Sequence, residues 1–156
     1  MSLTVGEDSY ISLSEANSHF SSRLHTASWD DATSSTKEKA LKMACSLLEN
    51  RVVWRGSKTD SSQTLQWPRK NLLDHYSKPL EETKIPASVK SVQAELAHYL
   101  LQQDPMTVPG GITSMNLDGI QMDLGNAQET IPPKIFKPIE VWGQLLDSKA
   151  TVKVTR

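Results

Sequence analysis

Two tryptophan–arginine pairs bracket a polar stretch in the first half of the chain. "WRG" holds Trp54 and Arg55, "WPR" holds Trp67 and Arg69, and Lys58 lies in the Ser- and Thr-rich run between them. A single-stranded nucleic acid groove uses such residues, because bases stack on aromatic rings while phosphates pair with cations. The same residues can instead pin a long loop to the protein's core, with the rings buried and the arginines bonded to carbonyls or to a neighbouring subunit. Nearby acids favour a clasp or interface, and DNA contact is the alternative.

No other group of residues has the spacing of an active site or a metal centre. The lone cysteine, Cys45, lies on the apolar stripe of a predicted helix, which is typical of a buried structural thiol. "GSK" lacks both the upstream glycine and the preceding strand of a phosphate-binding loop. No histidine pairs with a second ligand at metal-binding spacing; the four are His19, His25, His75 and His98. We therefore expect neither an enzyme nor a cofactor.

The near balance of 17 basic and 18 acidic residues gives a formal net charge of −1. A general nucleic-acid-binding protein is usually plainly basic, because phosphate contacts dominate its affinity. The balance argues against that class for the whole chain and leaves room for a local basic patch. The 156 residues, 37% of them hydrophobic, suit one domain with a modest core. No apolar run approaches the roughly 20 residues that a membrane span needs, and the N-terminus lacks the basic start and apolar stretch of a signal peptide. We therefore expect a cytosolic chain with no membrane partner.

Three helices are predicted in the first two thirds of the sequence. Capping boxes at Ser12/Glu15 and Ser35/Glu38 precede apolar positions at helical spacing, which predicts helices over about 13–25 and 36–51. A third helix is predicted from Pro86, which suits a first helical position, to about residue 103. The polar loop after the first helix carries Trp29, which we expect to fold back on the core. A helical turn is also expected near 72–76.

The remaining sequence changes character. Alternating residues around Asp118-Gly119 predict a β-hairpin over 112–124. "IPPKIFKPIEVWGQLL" has apolar residues at helical spacing, with Pro138 as an expected kink, and "KATVKVTR" alternates as a strand or arm would. The predicted fold is mainly α: a small bundle of three to four helices with a protruding β-hairpin and a C-terminal strand or arm. The predicted divisions are a helical body, a hairpin region, and a short helix with the arm: 1–105, 106–130 and 131–156.

The sequence resembles the head–tail connector, or adaptor, proteins of tailed phages, also called head-completion proteins. The resemblance is most specific from Tyr10 to Arg69, through "SLSEA" at a helix start, "SW", "KEKAL", and "WRGSKTD" followed by "WPR". It continues in the "IPASV" helix and the "IPP" segment and covers most of the chain. Such proteins are often labelled as similar to the single-stranded-DNA-binding primosomal protein DnaT. That label supplies the rival hypothesis, a DnaT-like module that binds single-stranded DNA.

The connector resemblance implies a virion structural protein in the phage neck, assembled in the host cytoplasm. Its subunits would form a homo-oligomeric ring, usually of twelve copies, beneath the portal protein. The alternative state, for the protein in isolation, is a monomer. The ring would extend the channel through which packaged DNA passes and would dock the tail or the next neck protein. We expect the arm to add a strand to the portal, with contacts from Lys149, Val152, Lys153, Val154 and Arg156. We expect the hairpin to contact a ring neighbour or the tail through Asn116, Asp118, Gly119 and Gln121.

Overall fold

The computed structural model describes residues 2–103, 115–117, 120–122 and 131–146. These residues contain four α-helices: α1 (Leu13–Ser21), α2 (Ala27–Asp30), α3 (Ser34–Arg51) and α4 (Ala87–Gln102). The long helices α3 and α4 pack against each other, and α1 and α2 lie on α4. The predicted class, a small and mainly α-helical fold, is confirmed.

Helix α1 begins where its capping box predicts and ends early. The Ser12 hydroxyl accepts the Glu15 N–H at 3.2 Å, while the Glu15 carboxylate accepts the Ser12 N–H at 2.9 Å. The helix stops four residues before the predicted end. The hydroxyls of Ser21 and Ser22 bond to carbonyls of the last turn, in competition with further helical N–H groups. Leu24, which falls within the predicted helix but beyond its observed end, is exposed.

Helix α3 starts two residues before the predicted position, and its cap is Thr33 rather than Ser35. Thr33 has the extended backbone of an N-cap, and its hydroxyl accepts the Thr36 N–H at 3.3 Å. The predicted apolar stripe is buried and continues into the residue after the helix; it comprises Leu41, Ala44, Cys45, Leu48 and Val52. The predicted polar loop contains the single turn α2, which carries Trp29 into the core.

Helix α4 carries a buried glutamine that ties three parts of the chain together. Gln93 donates to the Leu41 carbonyl at 2.9 Å and to the Ser9 hydroxyl at 2.7 Å, and its own oxygen accepts the Tyr10 N–H at 2.9 Å. Both the nitrogen and the oxygen of its amide have hydrogen-bond partners, as a buried amide requires. Pro86 serves as the N-cap of α4, not as its first helical residue.

The described residues form three short antiparallel strand pairs. The strands are β1 (Val52–Trp54), β2 (Ser57–Lys58), β3 (Arg69–Lys70), β4 (Met115–Leu117), β5 (Ile120–Met122) and β6 (Gly143–Leu145). β1 pairs with β6, β2 with β3, and β4 with β5. Leu117 pairs with Ile120 in the register of the two strands, which agrees with the predicted hairpin. Residues 112–114, 118–119 and 123–124 of that prediction lie outside the described residues.

The predicted short helix of the last segment is wrong. Residues 131–146 form two 3₁₀ turns, Pro133–Ile135 and Lys137–Ile139, followed by β6. Prolines lack the N–H groups that α-helical hydrogen bonds need. The bonds in these turns therefore join residues three apart, such as the Phe136 N–H and the Pro133 carbonyl at 3.0 Å. The segment shares the core of the helices through Ile131, Phe136, Ile139 and Trp142.

The helical turn predicted near 72–76 is also wrong. Residues 73–79 form a narrow loop that an isolated bridge closes between Leu73 and Pro79. The Leu80 N–H donates to the Leu72 carbonyl at 2.9 Å just outside the bridge. The Asp74 carboxylate, together with backbone bonds between Asp74 and both Lys78 and Ser77, holds this loop in place of helical bonds.

Candidate nucleic-acid interface

Residues 52–69, which we call the tryptophan loop, begin with β1 directly after α3. The first bend of this loop requires a glycine. Gly56 has a φ of +69°, and a Cβ there would lie 2.5 Å from the Lys70 carbonyl oxygen and 2.9 Å from Leu72 Cγ. Only glycine permits both this backbone conformation and this close approach. The preceding residue, Arg55, donates its N–H to the Trp142 carbonyl at 2.8 Å. The loop is thereby fastened to β3 and to the last described segment.

The tryptophans of the two tryptophan–arginine pairs point into the protein. Trp54 and Trp67 are 8% and 1% exposed, and their rings meet edge to face at a centroid distance of 5.5 Å. Trp67 meets Trp142 in the same way at 6.1 Å, and the Trp142 indole donates to Ser88 on α4 at 2.9 Å. The other two indole N–H groups have no partner within the described residues. In this conformation neither ring face is free to stack a base.

Arg69 is likewise turned into the loop. Its side chain, 6% exposed, donates to the carbonyls of Arg55 at 2.7 Å and Gly56 at 2.9 Å. It also donates to the backbone oxygen of Gln66 at 3.1 Å and to that residue's side-chain oxygen at 2.8 Å. Burial lowers the pKa of this guanidinium, although Tyr10 and Glu49 oppose the shift. Four of its bonds thus hold the loop, where the sequence leaves its partners open.

A half-buried carboxylate on α3 holds the far side of the loop. Glu49 accepts a hydrogen bond from the Tyr10 hydroxyl and accepts the Gln66 N–H at 3.1 Å. Burial raises the pKa of Glu49, and burial together with the Glu49 charge raises the pKa of Tyr10. Sequence reasoning missed this pair. The available signal was that Glu49 follows Leu48 and lies beside the apolar stripe.

The outer side of the loop presents cations. Lys58 on β2 and Lys70 on β3 line an open hollow of about 820 Å³, together with Ser57, Thr59, Asp60 and Ser61. We call it the lysine hollow. Lys58 donates one bond to the Gln63 carbonyl at 3.1 Å, and the Thr59 hydroxyl donates to the Glu82 carbonyl at 2.6 Å. The other ammonium donors and the hydroxyls of Ser57 and Ser61 suit phosphate oxygens. Asp60 opposes an anion; two bonds from Ser62 lower its pKa and keep it charged. Arg55 is exposed but lines a different depression, beside Glu140.

The whole chain corresponds to one described protein family. Residues 2–156 match the family model "Putative DnaT-like ssDNA binding protein". The chain belongs to this family. No curated protein and no solved structure matches it. The DnaT-like match agrees with the rival hypothesis of the sequence analysis, and no match supports the connector family.

The other predicted interface residues of this DnaT-like chain are only partly within the described structure. Asn116 on β4 lies opposite Gln121 on β5. The turn residues and the arm lie outside the described residues: Asp118, Gly119, Lys149, Val152, Lys153, Val154 and Arg156. Their interface roles stay predictions.

One histidine, His98, and the single cysteine, Cys45, are buried. His98 contacts the Ser28 hydroxyl at 3.1 Å, and burial lowers its pKa. Cys45 is buried, which raises the pKa of its thiol to about 12. No three His, Cys, Asp or Glu side chains within the described ranges are placed to hold a metal ion. None of the helices described above is both long and apolar enough to cross a membrane.

Proposed function

We propose that this DnaT-like protein binds single-stranded DNA through its phosphate backbone at the lysine hollow. The observation that carries the proposal is the convergence of Lys58 and Lys70 with the hydroxyl groups of Ser57 and Ser61 around one open depression. Family membership supports the same ligand. The buried tryptophans limit the part of the loop that can meet DNA to its outer, cationic side. We expect no chemical step in this function.

Such binding is weak and depends strongly on salt. Two lysines that each neutralise one phosphate of a single strand give a slope of about −1.4 in a plot of log K against log salt. The neighbouring carboxylate of Asp60 further limits affinity. A chain with net charge −1 therefore needs low or moderate salt for binding to be measured.

Fluorescence anisotropy of a labelled oligothymidylate tests the proposal. We expect the double variant Lys58→Ala/Lys70→Ala to lose roughly tenfold in affinity at low salt, with a flatter salt dependence. The matched control is Lys39→Ala/Lys134→Ala, which removes the same charge from exposed positions outside the hollow. Equal losses in both variants, or a wild-type protein that binds no oligonucleotide at low salt, would overturn the proposal.

A second candidate is the adaptor function, supported by an exposed apolar surface on the β1–β6 ribbon. Gln144 lies opposite Val53, so Leu146, two residues further on, shares the face of Val53. Val53 and Leu146 are 54% and 59% exposed. Adjacent exposed apolar side chains are typical of protein–protein contacts. In this proposal the chain forms a ring in the phage neck, between portal and tail or neck protein, around the passage for packaged DNA.

Electron microscopy and mass photometry of the protein, alone and with its portal protein, test the adaptor function. A closed ring in either sample is the expected result. We expect Val53→Asp/Leu146→Asp to remain folded by circular dichroism and to lose the ring. A wild-type chain that stays monomeric with the portal present contradicts this candidate, whatever its affinity for DNA.

A further inference from the structure

One aromatic side chain of this protein is strongly exposed. All nine Phe, Trp and Tyr residues lie within the described ranges. Tyr76 is 79% exposed, and Tyr99 is partly buried with its hydroxyl bonded to Gln103. The remaining seven are buried: Tyr10, Phe20, Trp29, Trp54, Trp67, Phe136 and Trp142. If a base stacks on an aromatic ring of this chain in its present conformation, Tyr76 is the ring with a free face.

The backbone beneath Tyr76 is held rigidly. The Asp74 carboxylate accepts the N–H groups of Tyr76 and Lys78, each at 2.8 Å. The Asp74 N–H donates to the Lys78 carbonyl at 2.8 Å, and the Ser77 N–H to the Asp74 carbonyl at 3.0 Å. The His75 ring stands edge-on to the Tyr76 ring at 5.5 Å. A fixed backbone reduces the entropy lost when the ring binds a ligand.

The chain on either side of the 73–79 loop is joined to the lysine hollow. Thr59, which lines the hollow, donates its hydroxyl to the Glu82 carbonyl at 2.6 Å. Asn71 directly follows Lys70, and its amide lies 3.5 Å from the Ser57 hydroxyl at the hollow. Six residues of chain, from Lys70 to Tyr76, span at most about 20 Å. A short oligonucleotide can therefore reach both the hollow and the exposed ring.

We propose that Tyr76, braced by His75, is a stacking platform for a base of single-stranded nucleic acid whose phosphates contact the lysine hollow. This inference rests on the proposed DNA-binding function and adds a base-contacting residue to it. The residues next to Tyr76 in the loop, His75, Ser77 and Lys78, are polar and exposed. Leu73, 55% exposed, lies at the closed end of the loop, in the bridge to Pro79. A protein–protein anchor instead sits in a surround that excludes water. The ring is therefore better suited to a base than to a protein pocket.

The test compares base-containing DNA with DNA that has no bases. The protein variants are Tyr76→Ala and the ring-preserving control Tyr76→Phe; the probes are an oligothymidylate and an abasic oligonucleotide of equal length. We expect Tyr76→Ala to bind oligothymidylate about 5- to 150-fold more weakly. Its binding to the abasic strand and its salt slope should match the wild type. Tyr76→Phe should bind both as the wild type does. Because the side chain is exposed, thermal unfolding should be unchanged in both variants.

A second readout reports stacking directly. Fluorescence of 2-aminopurine in the oligonucleotide should change on binding to the wild type and to Tyr76→Phe, and should change far less with Tyr76→Ala. If Tyr76→Ala binds oligothymidylate as tightly as the wild type, Tyr76 does not stack a base. The Lys58→Ala/Lys70→Ala variant then still tests whether the lysine hollow binds the phosphate backbone. An equal loss on the abasic strand, or a Tyr76→Phe as weak as Tyr76→Ala, also overturns stacking. A wild-type protein that binds neither strand overturns the proposed function itself and the platform with it.

Discussion

Replacing Arg69 by methionine separates the two interpretations of the tryptophan loop. Methionine keeps much of the side-chain length and removes all donors. The carbonyls of Arg55 and Gly56 and both oxygens of Gln66 then lose a partner. Hydrogen bonds from a charged donor contribute about 1.5–3 kcal/mol each. Arg55 and Gly56 are exposed, so water can replace part of this, and we expect a net loss of about 3 kcal/mol.

Equilibrium unfolding in urea measures this loss. With a slope near 2 kcal/mol/M, a loss of about 3 kcal/mol lowers the midpoint by about 1.5 M. Arg69→Lys keeps the charge but cannot reproduce the planar fork, so it should recover only part of the loss. Arg23→Met is the matched control, because Arg23 is an exposed arginine whose ion pair with Glu95, at 2.9 Å, contributes less than about 1 kcal/mol.

Two results would refute this reasoning. If Arg69→Met is as stable as Arg23→Met, the fork of hydrogen bonds does not hold the loop. If folded Arg69→Met protein instead flattens the salt dependence of DNA binding as the lysine-hollow variant does, Arg69 contacts phosphate and the buried arrangement is not the binding-competent one. The expected outcome is reduced stability with an unchanged salt slope in the folded protein.

Three further perturbations test other parts of the structure. Gly56→Ala should lower the free energy of unfolding by about 1–3 kcal/mol, because it combines positive φ with a Cβ 2.5 Å from a carbonyl oxygen; an unchanged urea midpoint would contradict the close approach. The bonds from Lys90 and Ser12 lower the pKa of Glu15 to about 2, so its stabilisation is present above its ordinary pKa of 4.5 and is lost as pH falls towards 2. Glu15→Gln should therefore flatten the loss of stability in that window, and an acid profile identical to the wild type would rule this out. The Cys45 thiol should react with a thiol reagent only as fast as the protein opens, because it is buried and its pKa is about 12; rapid labelling of folded protein would show otherwise.

The features that sequence predicts well here are those with local causes. The α1 capping box lies within four residues, and α3 and α4 show their apolar stripes within a few turns. The hairpin strands β4 and β5 follow from a two-residue turn signal. Each of these signals involves residues that are close in the chain, so no knowledge of the tertiary fold is needed.

The features that sequence misses depend on distant partners. β1 forms because β6, about ninety residues later, pairs with it, and Val52–Trp54 alone looks like a helix end. The 3₁₀ turns reproduce helical spacing of apolar residues, so periodicity predicts an α-helix that the prolines forbid. At the candidate site, the inward direction of Trp54 follows from the apolar stripe of α3. The carbonyl partners of Arg69 have no local signal.

Segment 52–84 carries two sets of side chains with different tasks. Trp67 and Arg69 point into the protein and fix the backbone, while Tyr76 is exposed and the half-buried Lys58 and Lys70 line the lysine hollow. Side chains presented by a fixed backbone lose less entropy on binding than those of a flexible loop. Changes to the inner set should therefore weaken both folding and ligand binding, whereas changes to Lys70 and Tyr76 should weaken binding alone. A change to Lys58 also removes its bond to the Gln63 carbonyl. If the tryptophans themselves stacked bases in an open groove, replacing them would weaken binding and leave stability unchanged. The difference between the two sets would then not be observed.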